Sequence, residues 1–436
     1  MVSIAIIGGS GEFGRVFARI FKEDGHEVVI TGRDAAKGER VAAELGVEFT
    51  DDNAGAAQKA DIVIISVYID NTLDVIKEVA PHVRPGCLLM DFTSVKIEPC
   101  AAMEKHADKG VEIIGTHPMF GPRVTSLEGQ AFIVVPVRAK KWKKFLLDFL
   151  SRHKAKVFET TPDEHDRVMA VVQGLTHFSY ISTAATLRAL NIDVKDSRNY
   201  ASPIYMLMLD LIARIVGQSP QLYASIQMHN PCTKEVHRAF IEQASKLKEI
   251  VAEKDVGAFT KLMTSAAKHV GDLDASMGRS DKAILALSEE LRKLTESVGR
   301  EVVLRHIYSG AVHVGEVKGI DAETVTLKTS GGKKVTLKLS NVELLSQEGA
   351  RRWKLDNLPK KSQDFSFLIS EDADKEVIKR MVEAFDDNVI SCSVIDVYRG
   401  KQIPRGKTSI TLRVETIGHS FEKIKELISV IGGALR

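Results

Sequence analysis

Cysteine is scarce in this chain. Its four cysteines, Cys87, Cys100, Cys232 and Cys392, lie far apart with no CxxC pair, which argues against a disulfide framework and against a zinc site. A reducing compartment, the cytoplasm, is the expected location, with no metal. No apolar run approaches the roughly 18 residues of a membrane-crossing helix, so no membrane partner is expected. An excess of one charge is missing too: 60 Lys and Arg stand against 58 Asp and Glu, a formal +2. That balance excludes a chain coating nucleic acid along its whole length. The first residues hold no basic segment followed by a long apolar stretch but open on a strand-like run, Val2 to Ile7, so a secretory leader is not expected.

What is present is the composition of a globular protein, 44% hydrophobic and 27% charged over 436 residues, too long for one hydrophobic core. Over residues 1–160, short β-branched runs (Ile4 to Ile7, Glu27 to Thr31, Ile62 to Val67, Cys87 to Phe92, Glu112 to Ile114, Ala131 to Val135) alternate with amphipathic stretches. This is the pattern of βαβ units, and it predicts a doubly wound parallel sheet. From 163 to 298 helical periodicity runs on; Ser202-Pro203 and Ser219-Pro220 mark helix starts, and Gly217 a helix end. From 299 to 346 the pattern is alternating strands with a Ser330-Gly331-Gly332 turn, which predicts a small β-barrel. Residues 347–361 read as a polar linker, and 362–436 as a β-α-β-β-α, ferredoxin-like module.

The first run leads into Gly8-Gly9-Ser10-Gly11-Glu12-Phe13-Gly14, a GxGxxG at Gly9, Gly11 and Gly14 between a strand and a helix. That context marks a dinucleotide site. Gly9 permits the tight turn, Gly11 lets backbone approach the pyrophosphate, Gly14 allows close helix-to-sheet packing, and the phosphates rest on the helix N-terminus with Ser10, Glu12 and Phe13. Ser66 and Val67, ending the Ile62 run, are placed at the cofactor as well. The second strand ends in Thr31-Gly32-Arg33 rather than a carboxylate. A hydroxyl and a guanidinium there suit a 2′-phosphate and favour NADP, while Asp34, next in the chain, keeps NAD open.

In an open parallel sheet ligands bind beyond the carboxyl ends of the strands. Two segments reach that place, Asp91-Phe92-Thr93-Ser94-Val95-Lys96 and His117-Pro118-Met119-Phe120-Gly121-Pro122. A histidine on such a pinned loop can take a hydroxyl proton as hydride leaves, which makes His117 the general base of choice.

These two runs, with Val172-Gln173-Gly174-Leu175-Thr176-His177 and with Arg214-Ile215 followed by Ser219-Pro220 and Tyr223, together resemble prephenate dehydrogenase, especially its archaeal members, over residues 1 to about 298. The resemblance implies a Rossmann domain, a helical substrate-binding and dimerisation domain like that of 6-phosphogluconate dehydrogenase, a homodimer, and oxidative decarboxylation of prephenate to 4-hydroxyphenylpyruvate in tyrosine synthesis. It implies that His117 deprotonates the ring hydroxyl, that Ser94 orients His117, that Arg214 binds a substrate carboxylate, and that His177 and Tyr223 line the pocket. Many members carry a glutamate where this chain has Arg123, and an acidic residue where it has Leu211. Arg123 is therefore a candidate for a second substrate carboxylate, and arogenate remains an alternative substrate. Another dehydrogenase of Rossmann-plus-helical architecture is a further alternative; a regulatory or RNA-binding protein is the reading from another class.

Residues 364–436, through Asp396-Val397-Tyr398-Arg399-Gly400-Lys401-Gln402-Ile403-Pro404, resemble the ferredoxin-fold anticodon-binding domain of the phenylalanyl-tRNA synthetase β chain. Residues 362–436 hold 11 Lys and Arg against 12 Asp and Glu, so a nucleic-acid partner is not expected. Residues 299–361 carry 12 against 7, read as lysines on hairpin edges that discourage edge-to-edge pairing.

Overall fold

The computed structural model describes residues 1–321, 323–417, 421–431 and 434–435. It contains two compact units, Met1–Gly271 and Asp272–Arg436. No helix among the described residues is long and apolar enough to cross a membrane.

The first unit begins with an eight-stranded sheet: β1 (Ser3–Ile7), β2 (Glu27–Thr31), β3 (Glu48–Thr50), β4 (Ile62–Ile65), β5 (Leu88–Asp91), β6 (Glu112–Pro118), β7 (Ala131–Arg138) and β8 (Lys156–Glu159), in the order β3-β2-β1-β4-β5-β6-β7-β8. The near-continuous apolar runs follow from burial on both faces. In β1, Ile4 and Ile6 join one core, with the helix Glu12–Glu23, while Ala5 and Ile7 join the other. β4 divides the same way, Ile62 and Ile64 against Val63 and Ile65. The strand order reverses between β1 and β4, which places a crevice at their carboxyl ends.

The sheet is not parallel throughout, as the alternating pattern had suggested. β6 and β7 pair antiparallel, His117 opposite Ile133. Only the loop Met119–Gln130 joins these two strands, with no crossover helix, so the chain simply turns back. The edge strands β3 and β8 were not anticipated; each is short and incompletely buried, so neither carries a long apolar run.

Helices follow from Pro162 to Val270. Thr161, Ser202 and Ser219 cap three of them, accepting the N–H groups of Glu164, Tyr205 and Leu222, each ahead of a proline. Between the helices Pro162–Met169 and Thr176–Ala189 the chain widens into a π-helical turn, Ala170–Leu175. Asp70, in the first turn of the helix that follows β4, accepts hydrogen bonds from Ser225 (2.9 Å) and Gln221 (3.3 Å) and faces His229 Nε2 (2.8 Å). It ties the helix Pro220–His229 to the nucleotide half.

The helix Leu273–Glu296, expected with the helical domain, belongs to the second unit. Gly271, at φ +79°, breaks the run. Leu294 enters a core with Val302, Leu304 and Val317, and Glu290 accepts the Leu344 N–H. The sheet of this unit, β9 (Glu301–His306), β10 (Val312–Ile320), β11 (Thr324–Lys328), β12 (Lys334–Lys338) and β13 (Val342–Leu344), is antiparallel in the order β12-β11-β10-β9-β13. The expected barrel is not closed: among the described residues no ladder joins β12 to β13. The intended linker is likewise structured. Ser346 caps a helix over Gln347–Asn357, formed by good helix formers whose polarity had concealed it.

The C-terminal sheet, β14 (Lys360–Ser370), β15 (Val389–Tyr398), β16 (Lys407–Ile417) and β17 (Ala434–Leu435), has the order β15-β16-β14-β17, with the helices Lys375–Phe385 and Phe421–Val430 between strands. That is the ferredoxin-like arrangement.

Phe17, 1% exposed, anchors the helix behind the glycine turn. Its ring meets those of Phe92 (4.2 Å), Phe13 (5.4 Å), Phe21 (6.2 Å), Phe132 (6.2 Å) and Phe120 (6.3 Å). Phe17→Ala is expected to cost about 3–5 kcal/mol, read from urea unfolding followed by circular dichroism; a loss below about 1 kcal/mol would contradict this packing account.

Candidate active site

The glycine turn leaves room for backbone alone. Gly8 has φ +80°, and a Cβ there would lie 2.6 Å from the Ser66 carbonyl oxygen. At Gly14 it would lie 2.5 Å from the Gly9 Cα, so only glycines let strand, turn and helix approach this closely. The helix Glu12–Glu23 starts at Gly11 without a side-chain cap. Its first N–H groups therefore face outward, the arrangement that holds a pyrophosphate. Phe13 turns its ring into the aromatic cluster and can offer a phosphate only its N–H. Glu12 is exposed; Ser10 is buried against Gly32, where a Cβ would meet the Ser10 Oγ at 2.1 Å. Ser66 and Val67 lie beside Gly8, across the crevice between β1 and β4.

Thr31 does something other than contact a 2′-phosphate. It is 0% exposed; its hydroxyl accepts the Gly8 N–H (3.1 Å) and donates to Asn53 Oδ1 (2.6 Å). This hydroxyl braces the glycine turn from below. Arg33, just beyond it, is exposed, while Asp34 Oδ1 accepts the Lys37 N–H (3.0 Å) as cap of the helix Ala35–Leu45.

His117 closes β6 and is 3% exposed. Its Nδ1 lies 3.0 Å from His165 Nε2, and its Nε2 lies 3.4 Å from Gln173 Nε2. His165 Nδ1 in turn meets Asp166 Oδ1 at 2.7 Å. Asp166 also accepts the amide N–H groups of Lys96 (2.7 Å) and Ile97 (2.9 Å), where the helix Ile97–His106 begins. Behind them the fully buried Lys96 pairs with the fully buried Asp91, and Lys96 Nζ lies 3.0 Å from Thr93 Oγ1. Burial, then His165, then the Lys96 charge hold the His117 pKa well below its ordinary 6.5, so the imidazole stays neutral and keeps a lone pair.

Ser94, expected to orient His117, makes no hydrogen bond to it among the described residues; it is half-buried after β5. The group beside His117 Nδ1 is His165. His165, Asp166 and Gln173 were not among the expected site residues. His165-Asp166 sits four residues after the helix-capping Thr161, a signal easily taken for ordinary helix, and Gln173 is aimed inward by the π-helical turn, which residue spacing does not show.

A second group stands nearby on the helical part. His177 and Tyr223 meet edge to face at 4.4 Å; burial lowers the His177 pKa and raises that of Tyr223, against which Arg214 acts. Arg214 ends the helix Pro203–Val216 with its side chain exposed and in no ion pair among the described residues. Gln173 Oε1 and His177 Nδ1 are buried polar atoms without hydrogen-bond partners, as expected of groups that receive a polar ligand. Arg123 is exposed on the loop Met119–Gln130. Among the described residues no three His, Cys, Asp or Glu side chains are arranged to hold a metal ion.

Three stretches of the chain match known families. Residues 17–159 match the nucleotide-binding domain of prephenate dehydrogenase, residues 161–265 its dimerization domain, and residues 357–420 the ferredoxin-fold anticodon binding domain. A probable arogenate/prephenate dehydrogenase of Methanocaldococcus jannaschii is 45% identical over 447 residues, covering 100% of this chain and 98% of its own. The T-protein of Haemophilus influenzae is 35% identical over 52% of this chain and 55% of its own. Among solved structures, prephenate dehydrogenase from Aquifex aeolicus, in complex with hydroxyphenyl propionate and NAD+, shares the fold with a TM-score of 0.52 at 20% identity, over 63% of this chain and 98% of its own. A fold, a glycine turn, a buried histidine and a full-length relative thus converge: the chain belongs to the prephenate/arogenate dehydrogenase family of NAD(P)-dependent oxidoreductases.

Proposed function

We propose that this protein oxidatively decarboxylates prephenate to 4-hydroxyphenylpyruvate, with NADP+ as the preferred cofactor. The observation that carries the reading is the neutral, buried His117 at the end of β6, with the Gln173 Oε1 and His177 Nδ1 atoms left without hydrogen-bond partners. The glycine turn and the uncapped N-terminus of the helix Glu12–Glu23 would hold a nicotinamide dinucleotide, which would supply the acceptor for a hydride from the hydroxyl-bearing ring carbon. His117 Nε2 takes the hydroxyl proton as that carbon becomes a carbonyl. The resulting dienone is conjugated to the carbon that carries the carboxylate, so the carbon–carbon bond electrons flow into the ring as CO2 leaves and aromaticity is restored. His117 then returns its proton to the phenolate oxygen, and no net proton is gained or lost. Arg214 holds a substrate carboxylate, His177 and Tyr223 bound the ring, and Gln173 orients the hydroxyl. The exposed Arg123, a cation, favours the pyruvyl side chain of prephenate over the ammonium-bearing alanyl side chain of arogenate.

The end of β2 supports the NADP reading. Asp34 is engaged as a helix cap and Thr31 is buried, which leaves the Arg33 guanidinium for a 2′-phosphate. Arg33→Ser is expected to raise KM for NADP+ about tenfold or more and leave that for NAD+ nearly unchanged; equal effects on both would place Arg33 away from the phosphate. The helical part leaves Val171, Val172, Ile181, Ile241 and Phe259 exposed, an apolar surface suited to a second copy. Light scattering should give a homodimer, and a monomer at micromolar concentration would reject it.

Absorbance at the reduced nicotinamide band, with prephenate and with arogenate, tests the activity. Wild type should turn over prephenate with the higher kcat/KM, and His117→Asn should lose about 10²–10⁴-fold; equal rates in the two proteins would sink the assignment. The pH dependence has a definite sign. The base works deprotonated and its pKa is depressed, so kcat/KM should stay level as pH falls from 8 to 6.5 and decline only below.

A further inference from the structure

Two imidazoles in contact cannot both present a lone pair, or both a proton, to one another. The state of the pair must therefore be set from its far end. That end is Asp166, a carboxylate that receives the Lys96 and Ile97 amide protons and can only accept. His165 Nδ1, 2.7 Å from Asp166 Oδ1, must then carry a proton, which leaves the Nε2 of neutral His165 bare. His117 Nδ1, 3.0 Å from that bare nitrogen, must in turn donate to it. Neutral His117 is thereby left with its lone pair on Nε2, the nitrogen beside Gln173. The His165 and Asp166 side chains are 0% and 1% exposed, and the Lys96–Asp91 ion pair behind them is fully buried.

We propose that His165 and Asp166 are positioning residues that fix the tautomer of His117, so that Nε2 is always the bare acceptor for the substrate's hydroxyl proton. The inference deepens the dehydrogenase reading and rests on it for its kinetic consequence. In the step itself the hydroxyl O–H bond breaks and an N–H bond forms at His117 Nε2. The Nδ1–H bond of His117 stays intact and donates to His165, so the positive charge is shared with a neutral ring oriented by a carboxylate. No proton travels on to Asp166.

Selective ¹⁵N-histidine labelling of the full-length wild type, read by two-bond ¹H–¹⁵N correlation, reports each ring's tautomer without any activity. His117 and His165, assigned by loss of their signals in His117→Asn and His165→Gln, should both carry the proton on Nδ1 at pH 7.5; a proton on His117 Nε2 overturns the proposal. Kinetics supply the second arm. Asp166→Asn, which can turn an N–H toward His165 and reverse both tautomers, should lower kcat about 10²–10⁴-fold with KM within a few-fold. His165→Leu should lose on the order of 100-fold, and His165→Gln, whose side-chain oxygen can accept from His117 Nδ1, should recover most of it. Wild-type rates in His165→Leu, equal losses in the Leu and Gln variants, or effects confined to KM overturn the proposal. Inactivity of the wild type toward prephenate and arogenate strikes the dehydrogenase reading instead, and the tautomer measurement still decides this one.

Discussion

One buried carboxylate holds the first unit of this protein to its chemistry. Asp166 stands on a helix of the second domain, yet its oxygens are bound by the Lys96 and Ile97 amides of the first domain, and its backbone carbonyl accepts from Asn230 (2.8 Å) at the end of the helix that carries Tyr223. Three segments distant in sequence are thus registered on one residue. A buried charge is costly unless its lone pairs are filled, and here a ring N–H and two amides at a helix N-terminus fill them. The same demand that keeps Asp166 satisfied sets the position of His165 and, through it, of His117.

Around that point the molecule contrasts two kinds of order. The sheet beneath is apolar on both faces, and its strands end where their carboxyl ends meet the crevice. Polar groups are concentrated at those ends: Asp91 with Lys96, Thr31 with Gly8, His117 with His165. Each of these groups has a definite partner, the kind of preorganisation that the proposed chemistry calls for. The π-helical turn adds Gln173 to this set, a local departure from α geometry of the kind that recurs at functional sites.

How much of this could be read without coordinates depends on the range of the interaction. The glycine turn, the strand runs and the proline-led helix starts are local, and Gly9, Gly11, Gly14, Ser202 and Ser219 lie where spacing put them. The place of His117 at a strand end was legible because strand run and Pro- and Gly-pinned loop meet in one short segment. The bracing role of Thr31 was not: hydrogen bonds to Gly8 and Asn53, 23 and 22 residues away, bury its hydroxyl beneath the glycine turn. His165 reaches His117 over 48 residues, and no periodicity carries that information. Beyond Gly271 the same holds: the strand pattern was visible, but closure of the sheet and the helix over Gln347–Asn357 depend on contacts rather than pattern.

The central claim is that hydride leaves the hydroxyl-bearing ring carbon of prephenate while His117 holds the hydroxyl proton. Prephenate deuterated at that carbon tests it most directly, with products analysed by mass spectrometry. The account predicts one deuterium in the reduced nicotinamide for every 4-hydroxyphenylpyruvate and CO2 formed, with none in the aromatic product. Deuterium retained in the product, or CO2 released without reduced cofactor, would contradict it.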